Sequence, residues 1–214
     1  SLSRTETGID ASIRDAMSES ALEKRLLNAL ATRYGDDALT PQVLSGGRRG
    51  FVLRAGPKDR PRLWTIEPQV QIDARFKGLP RKRVDFLLTP TGQSGAVPVV
   101  LEMDGLEYHA DTVAQDLLDR MLMIRSGQVR VWTLAWADLD AENRSFLNPL
   151  AEPALSAEKV GRLSRVCAFP GFSDHIDGVR ALQGESSLEG FWRLLDGARD
   201  DGLPCRSILT RGFV

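Results

Sequence analysis

Three carboxylates, Asp85, Glu102 and Asp104, stand out by the company they keep. Asp85 lies in Val84-Asp85-Phe86-Leu87-Leu88, and Glu102 and Asp104 end the apolar run Val97-Pro98-Val99-Val100-Leu101. Residues two apart on a strand point to one face, so Glu102 and Asp104 share a side. If the two stretches adjoin, three acids meet on one sheet surface. Bare carboxylates that close repel and raise one another's pKa, and a divalent cation relieves the strain. Oxygen donors of this kind select Mg²⁺, with Mn²⁺ as a substitute, over zinc. Such an ion activates water and stabilises the charge that grows on a phosphodiester. Taken singly, each acid has a plainer explanation: Asp85 as a strand-end turn former, Glu102 as the partner of an arginine.

The elements that must position these acids are legible in outline. Leu22, Leu26, Leu27 and Leu30 repeat at helical spacing from about Ser20 to Tyr34, and Ser20-Ala21-Leu22-Glu23 has the form of a capping box. Residues 46–62, rich in Gly, Pro and Arg, predict a loop around one short strand at Phe51 to Arg54. Trp64, Ile66, Val70 and Ile72 alternate as in a half-buried strand, and Lys77-Gly78-Leu79-Pro80 predicts a turn. Val84, Phe86 and Leu88 alternate again, so the two strands form a hairpin with Asp85 facing away from Val84 and Phe86. Residues 97–104 read as a buried central strand whose end reaches a site. A helix from Thr112–Gln115 to about Arg125 carries Val113, Leu117, Leu118, Met121 and Leu122 on one face. Ser126-Gly127 ends it, and a strand over Val129 to Leu134 completes a βαβ unit. The expected class is therefore α/β: an α-β-β-β-α-β core with a mixed sheet flanked by helices. Beyond it lie a short helix at Trp136 to Asn143, some periodicity over Ala157 to Val166 and an amphipathic helix over Ser187 to Arg199. This divides the chain into a lead-in (1–19), a core (20–140) and a helical C-terminal extension (141–214) that packs on the core or on a partner.

Composition narrows the function classes. With 42% hydrophobic and 27% charged residues the 214-residue chain is globular in character. No apolar run approaches the roughly 20 residues of a membrane span and no signal-peptide pattern opens the chain, so no membrane is expected. Two cysteines, Cys167 and Cys205, give neither a disulfide framework nor a zinc motif, which points to a reducing, cytoplasmic setting. The formal charge of −1 hides an asymmetry: residues 41–83 hold eleven Lys/Arg against three acids, leaving +8 there and −9 elsewhere. A basic segment on an acidic chain suits a polyanion, whose contacts release counterions, and equally suits solvated loops. The opening Ser1-Leu2-Ser3 lacks a methionine, as expected of a piece of a longer protein or of a removed tag.

In combination, several of these stretches resemble the very-short-patch-repair-type endonuclease branch of the PD-(D/E)XK, restriction-endonuclease-like superfamily. They are Arg83-Val84-Asp85-Phe86, Leu101-Glu102-Met103-Asp104-Gly105, Tyr108-His109, Asp116-Leu117-Leu118-Asp119-Arg120 and Gly127-Gln128-Val129-Arg130-Val131, followed by Trp136-Ala137-Asp138-Leu139. The similarity covers roughly Ser20 to Leu139. It implies a restriction-endonuclease-like fold and a Mg²⁺-dependent DNA nuclease. Asp85 would be its metal-binding aspartate and Glu102 the acid of the (D/E)xK half-motif, with the Met103 main-chain carbonyl and Asp104 in the metal shell. Asp104 stands where lysine is commonest, a departure the E-x-D-G branch shares, so Lys82, Arg83 or His109 would supply positive charge at the phosphate.

The resemblance also places His109 near the scissile phosphate as acid/base or electrostatic aid, against a plain loop histidine bonded to Glu107 or Asp111. Glu23 matches a first-helix glutamate aimed at the metal, against a capping role. Gln69 matches a glutamine that bonds water or phosphate, and Asp116 with Arg120, four apart, would support the site as a helical ion pair. Arg75, Lys77, Arg81, Lys82 and Arg83 form the expected phosphate grip beside Asp85. Domains of this branch are often fused to helicases or serve bacterial repair and defence, so the remainder of a larger protein or a helicase is an expected partner besides DNA. The rival expectation is a catalytically inactive relative kept for DNA binding or assembly. A third is a protein-interaction module built on the C-terminal helices.

Overall fold

The computed structural model describes residues 17–92, 96–104, 113–139 and 187–197. The first helix, α1 (Ala21–Tyr34), starts where the Ser20 hydroxyl accepts the Glu23 amide at 3.1 Å, and it buries Leu22, Leu26, Leu27 and Leu30. A short 3-10 turn (Asp36–Ala38) leads into five strands: β1 (Leu39–Val43), β2 (Arg49–Ala55), β3 (Arg62–Gln71), β4 (Arg83–Thr91) and β5 (Val99–Asp104). Helix α2 (Val113–Ser126), strand β6 (Arg130–Ala135), a single turn α3 (Trp136–Leu139) and helix α4 (Ser187–Asp196) follow. The strands form one six-stranded mixed sheet in sequential order. Neighbours from β1 to β5 pair antiparallel, whereas β5 and β6 pair parallel. That last pair needs a crossover, which α2 supplies.

The fold is α/β with helices and a mixed sheet; it contains the short strand expected at Phe51 to Arg54, lengthened into β2, and adds one strand that the sequence pattern did not show, β1. Residues read as a loop around a short strand carry all of β2, and β1 precedes it. The reason is position. β1 is an edge strand with Pro41 in its middle and four of its five residues exposed, so no alternation marks it. The Trp136 helix is described only to Leu139, and the periodicity over 157–166 falls outside the described residues.

Two apolar clusters flank the sheet. The first joins α1 and α4 to Phe51, Trp64, Ile66, Phe86, Leu88, Leu101 and Trp132. The second gathers Val70, Ile72, Leu79, Val84, Leu87, Val100, Met123 and Val131. The expected one-sided alternation therefore fails within each strand of the β3–β4 hairpin. Trp64 and Ile66 feed the first cluster but Val70 and Ile72 the second; Phe86 feeds the first but Val84 the second. Gln69, at φ 53°, is the non-glycine residue with left-handed backbone among those described, and it sits where β3 changes clusters. Asp85 occupies the same seam on β4, since Pro68 pairs with Phe86 and Val70 with Val84 on either side.

Helix α2 departs further from expectation. Leu118, Met121 and Leu122, read as its core face, are exposed at 53%, 50% and 54%; the buried residue is Met123, with Ile124 packed beside it. The side chains of Val113 and Leu117 fall outside the described residues. Among the described side chains, α2 also directs Asp116 and Arg120 to partners across the fold, Lys82 and Glu102. Helix α4 buries Leu188, Phe191 and Leu195 as its pattern predicts, and Trp192 and Leu194 besides; the end expected at Arg199 falls outside the described residues. Its end is tied to α1, where Asp196 accepts hydrogen bonds from Arg33 (2.9 Å) and the Tyr34 hydroxyl (2.8 Å). Trp64 Nε1 donates to the Leu195 carbonyl at 3.1 Å. No helix among the described residues is long and apolar enough to cross a membrane.

Candidate active site

The β4–β5 ladder stops at Phe86 opposite Leu101, although β4 begins at Arg83 and β5 runs on to Asp104. One register step past the last rung, the next residues are Asp85 and Glu102. Where the rung would be, the Asp85 side chain takes over: its Oδ2 accepts the Met103 amide at 2.7 Å. The strands part at the two acids singled out by their spacing.

Glu102 is 4% exposed and carries two cations. Lys82 Nζ lies 2.8 Å from Oε1, and Arg120 Nε donates to Oε2. Oε1, although beside the Lys82 ammonium, is a buried oxygen without a hydrogen-bond partner among the described residues. Lys82 reaches Asp116 as well, at 2.9 Å. Burial alone would lower the Lys82 pKa; Glu102 and Asp116 outweigh it and hold the ammonium more firmly charged than usual. Asp116 and Arg120, expected as a helical ion pair beside the site, each reach a partner outside the helix: Asp116 reaches Lys82 and Arg120 reaches Glu102.

Asp85 shows the opposite balance. Burial pushes its pKa up to about 6, and the nearby charges of Glu23 and Glu102 raise it too; the Met103 amide and Lys82 oppose them. Its second oxygen, Oδ1, has no donor among the described residues. The site therefore holds one carboxylate well supplied with cations and one short of positive charge.

Glu23 is 2% exposed and both of its oxygens are engaged. Oε2 accepts the Glu19 amide at 2.9 Å and Oε1 accepts Gln69 Nε2 at 3.1 Å. The side chain is anchored by neutral donors at the helix start, and its charge is felt at Asp85. Gln69 is a link from β3 to α1, opposite Asp85.

The phosphate-grip residues scatter. Lys82 is in the site; Arg83 pairs with Glu19 at 3.0 Å; Lys77 and Arg81 are exposed. Arg75 pairs with Glu67, which Arg48 Nη1 also approaches at 3.2 Å. The sequence reading passed over Glu67, because a mid-strand acid in a basic segment looks solvated until its burial is known. His109 and the Asp104 side chain fall outside the described residues. Among those described, no three acidic, histidine or cysteine side chains are grouped to hold a metal. The donors still suit a hard cation: Asp85 Oδ1 and Glu102 Oε1 are oxygens with acceptor capacity left, and at Asp85 the charges of Glu23 and Glu102 outweigh that of Lys82.

No family model matches the chain, and neither do any curated protein or solved structure.

Proposed function

We propose that this chain is a divalent-metal-dependent DNA nuclease, with a restriction-endonuclease-like core made of α1, β3–β5, α2 and β6. One observation carries the reading: Asp85 and Glu102 stand one register step beyond the last β4–β5 pair, beside the ammonium of Lys82. Mg²⁺ or Mn²⁺ would be held by Asp85 and Glu102, with the Met103 carbonyl and Asp104 as further candidates. A divalent ion there would supply Lewis-acid charge to a phosphodiester and a nucleophile at neutral pH. The chain's own residues do the rest. The Met103 amide fixes the Asp85 carboxylate, Arg120 fixes Glu102, and Lys82 presents a positive charge beside Glu102. That charge is preorganised and needs no rearrangement as a phosphate becomes more negative. Service within a larger repair or defence protein, beside a helicase, belongs to the same proposal.

The test is cleavage of single- and double-stranded DNA with Mg²⁺ or Mn²⁺, using Asp85→Asn and Glu102→Gln. Glu102→Ala is the poorer variant, since it strands two buried cations, a loss worth about 3–5 kcal/mol of stability. Metal-dependent cutting that both substitutions abolish supports the reading; cutting that survives them, or a metal-independent activity, refutes it. A second reading, a non-catalytic DNA-binding relative, has a specific observation in its favour: Lys82 and Arg120 already satisfy much of the charge on Glu102. It predicts DNA binding without turnover and no Mn²⁺ binding by calorimetry.

A further inference from the structure

One strand away from the candidate site, on the far side of Gln69, lies a basic pocket that no expected role absorbs. Its volume is about 410 Å³, and Arg48, Arg49, Arg75, Glu67 and Gln69 supply its polar lining. Gln69 falls in register opposite Asp85, and paired strands run about 4.8 Å apart, so the pocket's rim adjoins the place where the two acids sit. The same Gln69 donates to Glu23, whose charge Asp85 senses.

The pocket is built rather than merely charged. Glu67, 8% exposed, forms its base and holds two guanidinium groups on one oxygen, Arg75 and Arg48. Arg48 is pinned again by the Ser45 carbonyl, at 3.1 and 2.8 Å. These contacts fix two planar donors in place, so little side-chain freedom is left to lose on binding. Arg49 is exposed and has no ion-pair or hydrogen-bond partner for its side chain among the described residues. Three arginines against one glutamate leave the lining net positive by two charges, and the arginines' planar donors match phosphate oxygens.

We propose that this pocket seats a backbone phosphate of the DNA strand that passes over Asp85 and Glu102, with Arg49 as the direct contact and Arg48 and Arg75 as fixed flanking charges. The nucleic-acid identity of the phosphate rests on the nuclease reading; the anion site rests on the pocket itself. A strand is favoured over a free nucleotide because Gln69, which lines the pocket, lies on the strand next to that of Asp85, so one polymer could span both.

The experiment measures binding of labelled single- and double-stranded oligonucleotides to the full chain in EDTA, which prevents turnover, between about 50 and 200 mM salt. Arg49→Ala is expected to weaken binding about three- to tenfold and to lower the slope of log K against log salt by about 1. Arg49→Lys should keep the slope. Arg60→Ala, an equal loss of charge in the turn at the opposite end of the β2–β3 hairpin, should leave the slope in place. An unchanged slope in Arg49→Ala overturns the proposal, as does an equal loss in Arg60→Ala, or absence of DNA binding by the wild type. Inorganic phosphate and ATP serve as competitors: displacement of the oligonucleotide by micromolar ATP, lost in Arg49→Ala, would make this a free-nucleotide pocket and overturn it too. If Arg49 sets the slope but no metal supports cutting, the pocket stands and the nuclease falls. If cutting depends on Asp85 while the Arg49→Ala slope is unchanged, the pocket falls alone.

Discussion

At the scale of single residues, the two acids of the candidate site differ because their surroundings differ. Glu102 has two cations within reach, whereas Asp85 has one backbone amide and two like charges that outweigh the charge of Lys82. The Asp85 pKa of about 6 lies above its ordinary 3.8, so the folded chain holds that proton more tightly than the unfolded one. Stability therefore falls as pH rises from about 4 to about 6 and is level above, with an ionised Asp85 costing roughly 3 kcal/mol. Asp85→Asn keeps an oxygen for the Met103 amide and removes the charge. In EDTA it should raise the denaturation midpoint at pH 8, and the gain should vanish near pH 4; a lower midpoint at pH 8 would show the site is not strained. With metal present the order should reverse, because Mn²⁺ would stabilise only the wild type, by mass action.

Lys82 and Glu102 call for a paired test. Lys82→Met alone removes charge from a buried partner, and Lys82→Met with Glu102→Gln removes both. If the ion pair is the main tie, the double variant should be less destabilised than the sum of the singles, by about 1–3 kcal/mol in denaturant unfolding. Additive losses would mean that Arg120 and Asp116 carry the network.

Among the elements, α2 teaches most. Its apolar residues gave a plausible core stripe, yet Leu118, Met121 and Leu122 are half-exposed while Asp116 and Arg120 point inward. Leu118→Ser and Leu122→Ser should each change stability by no more than about 0.5 kcal/mol, as surface changes do. Met123→Ala should cost about 2–5 kcal/mol. Thermal or urea unfolding of the three variants decides between the sequence stripe and the observed helix. Strand β3 makes a related point. Period-two alternation assumes an unbroken pleat, and a single left-handed residue, Gln69, cancels it, so that the strand serves both cores in turn.

Across the whole molecule, α4 is a structural part of the core although nearly fifty residues separate it from α3 in sequence. Phe191 is fully buried and stacks against Trp132 and Trp192, and Arg33 and Tyr34 hold Asp196 at the helix end. Phe191→Ala should cost about 3–5 kcal/mol and destabilise the sheet as a whole, seen as one cooperative loss of tertiary signal. Melting of the C-terminal part alone would contradict that packing.

The sequence by itself determined what local pattern can carry: α1 with its cap, the β3–β4 hairpin, the β5–α2–β6 crossover, the amphipathic α4, and Asp85 and Glu102 as the acids to watch. Those follow from spacing, since 3.6- and two-residue periods and capping residues are short-range signals. Tertiary structure decided what depends on partners distant in the chain. It brought Arg120 and Lys82 onto Glu102 and Arg75 and Arg48 onto Glu67, made edge strand β1 visible, and turned an apolar stripe of α2 to solvent. A buried charge is stable only beside its counter-charge, and which cation reaches which acid is set by the packing of elements, a quantity no window of neighbouring residues contains.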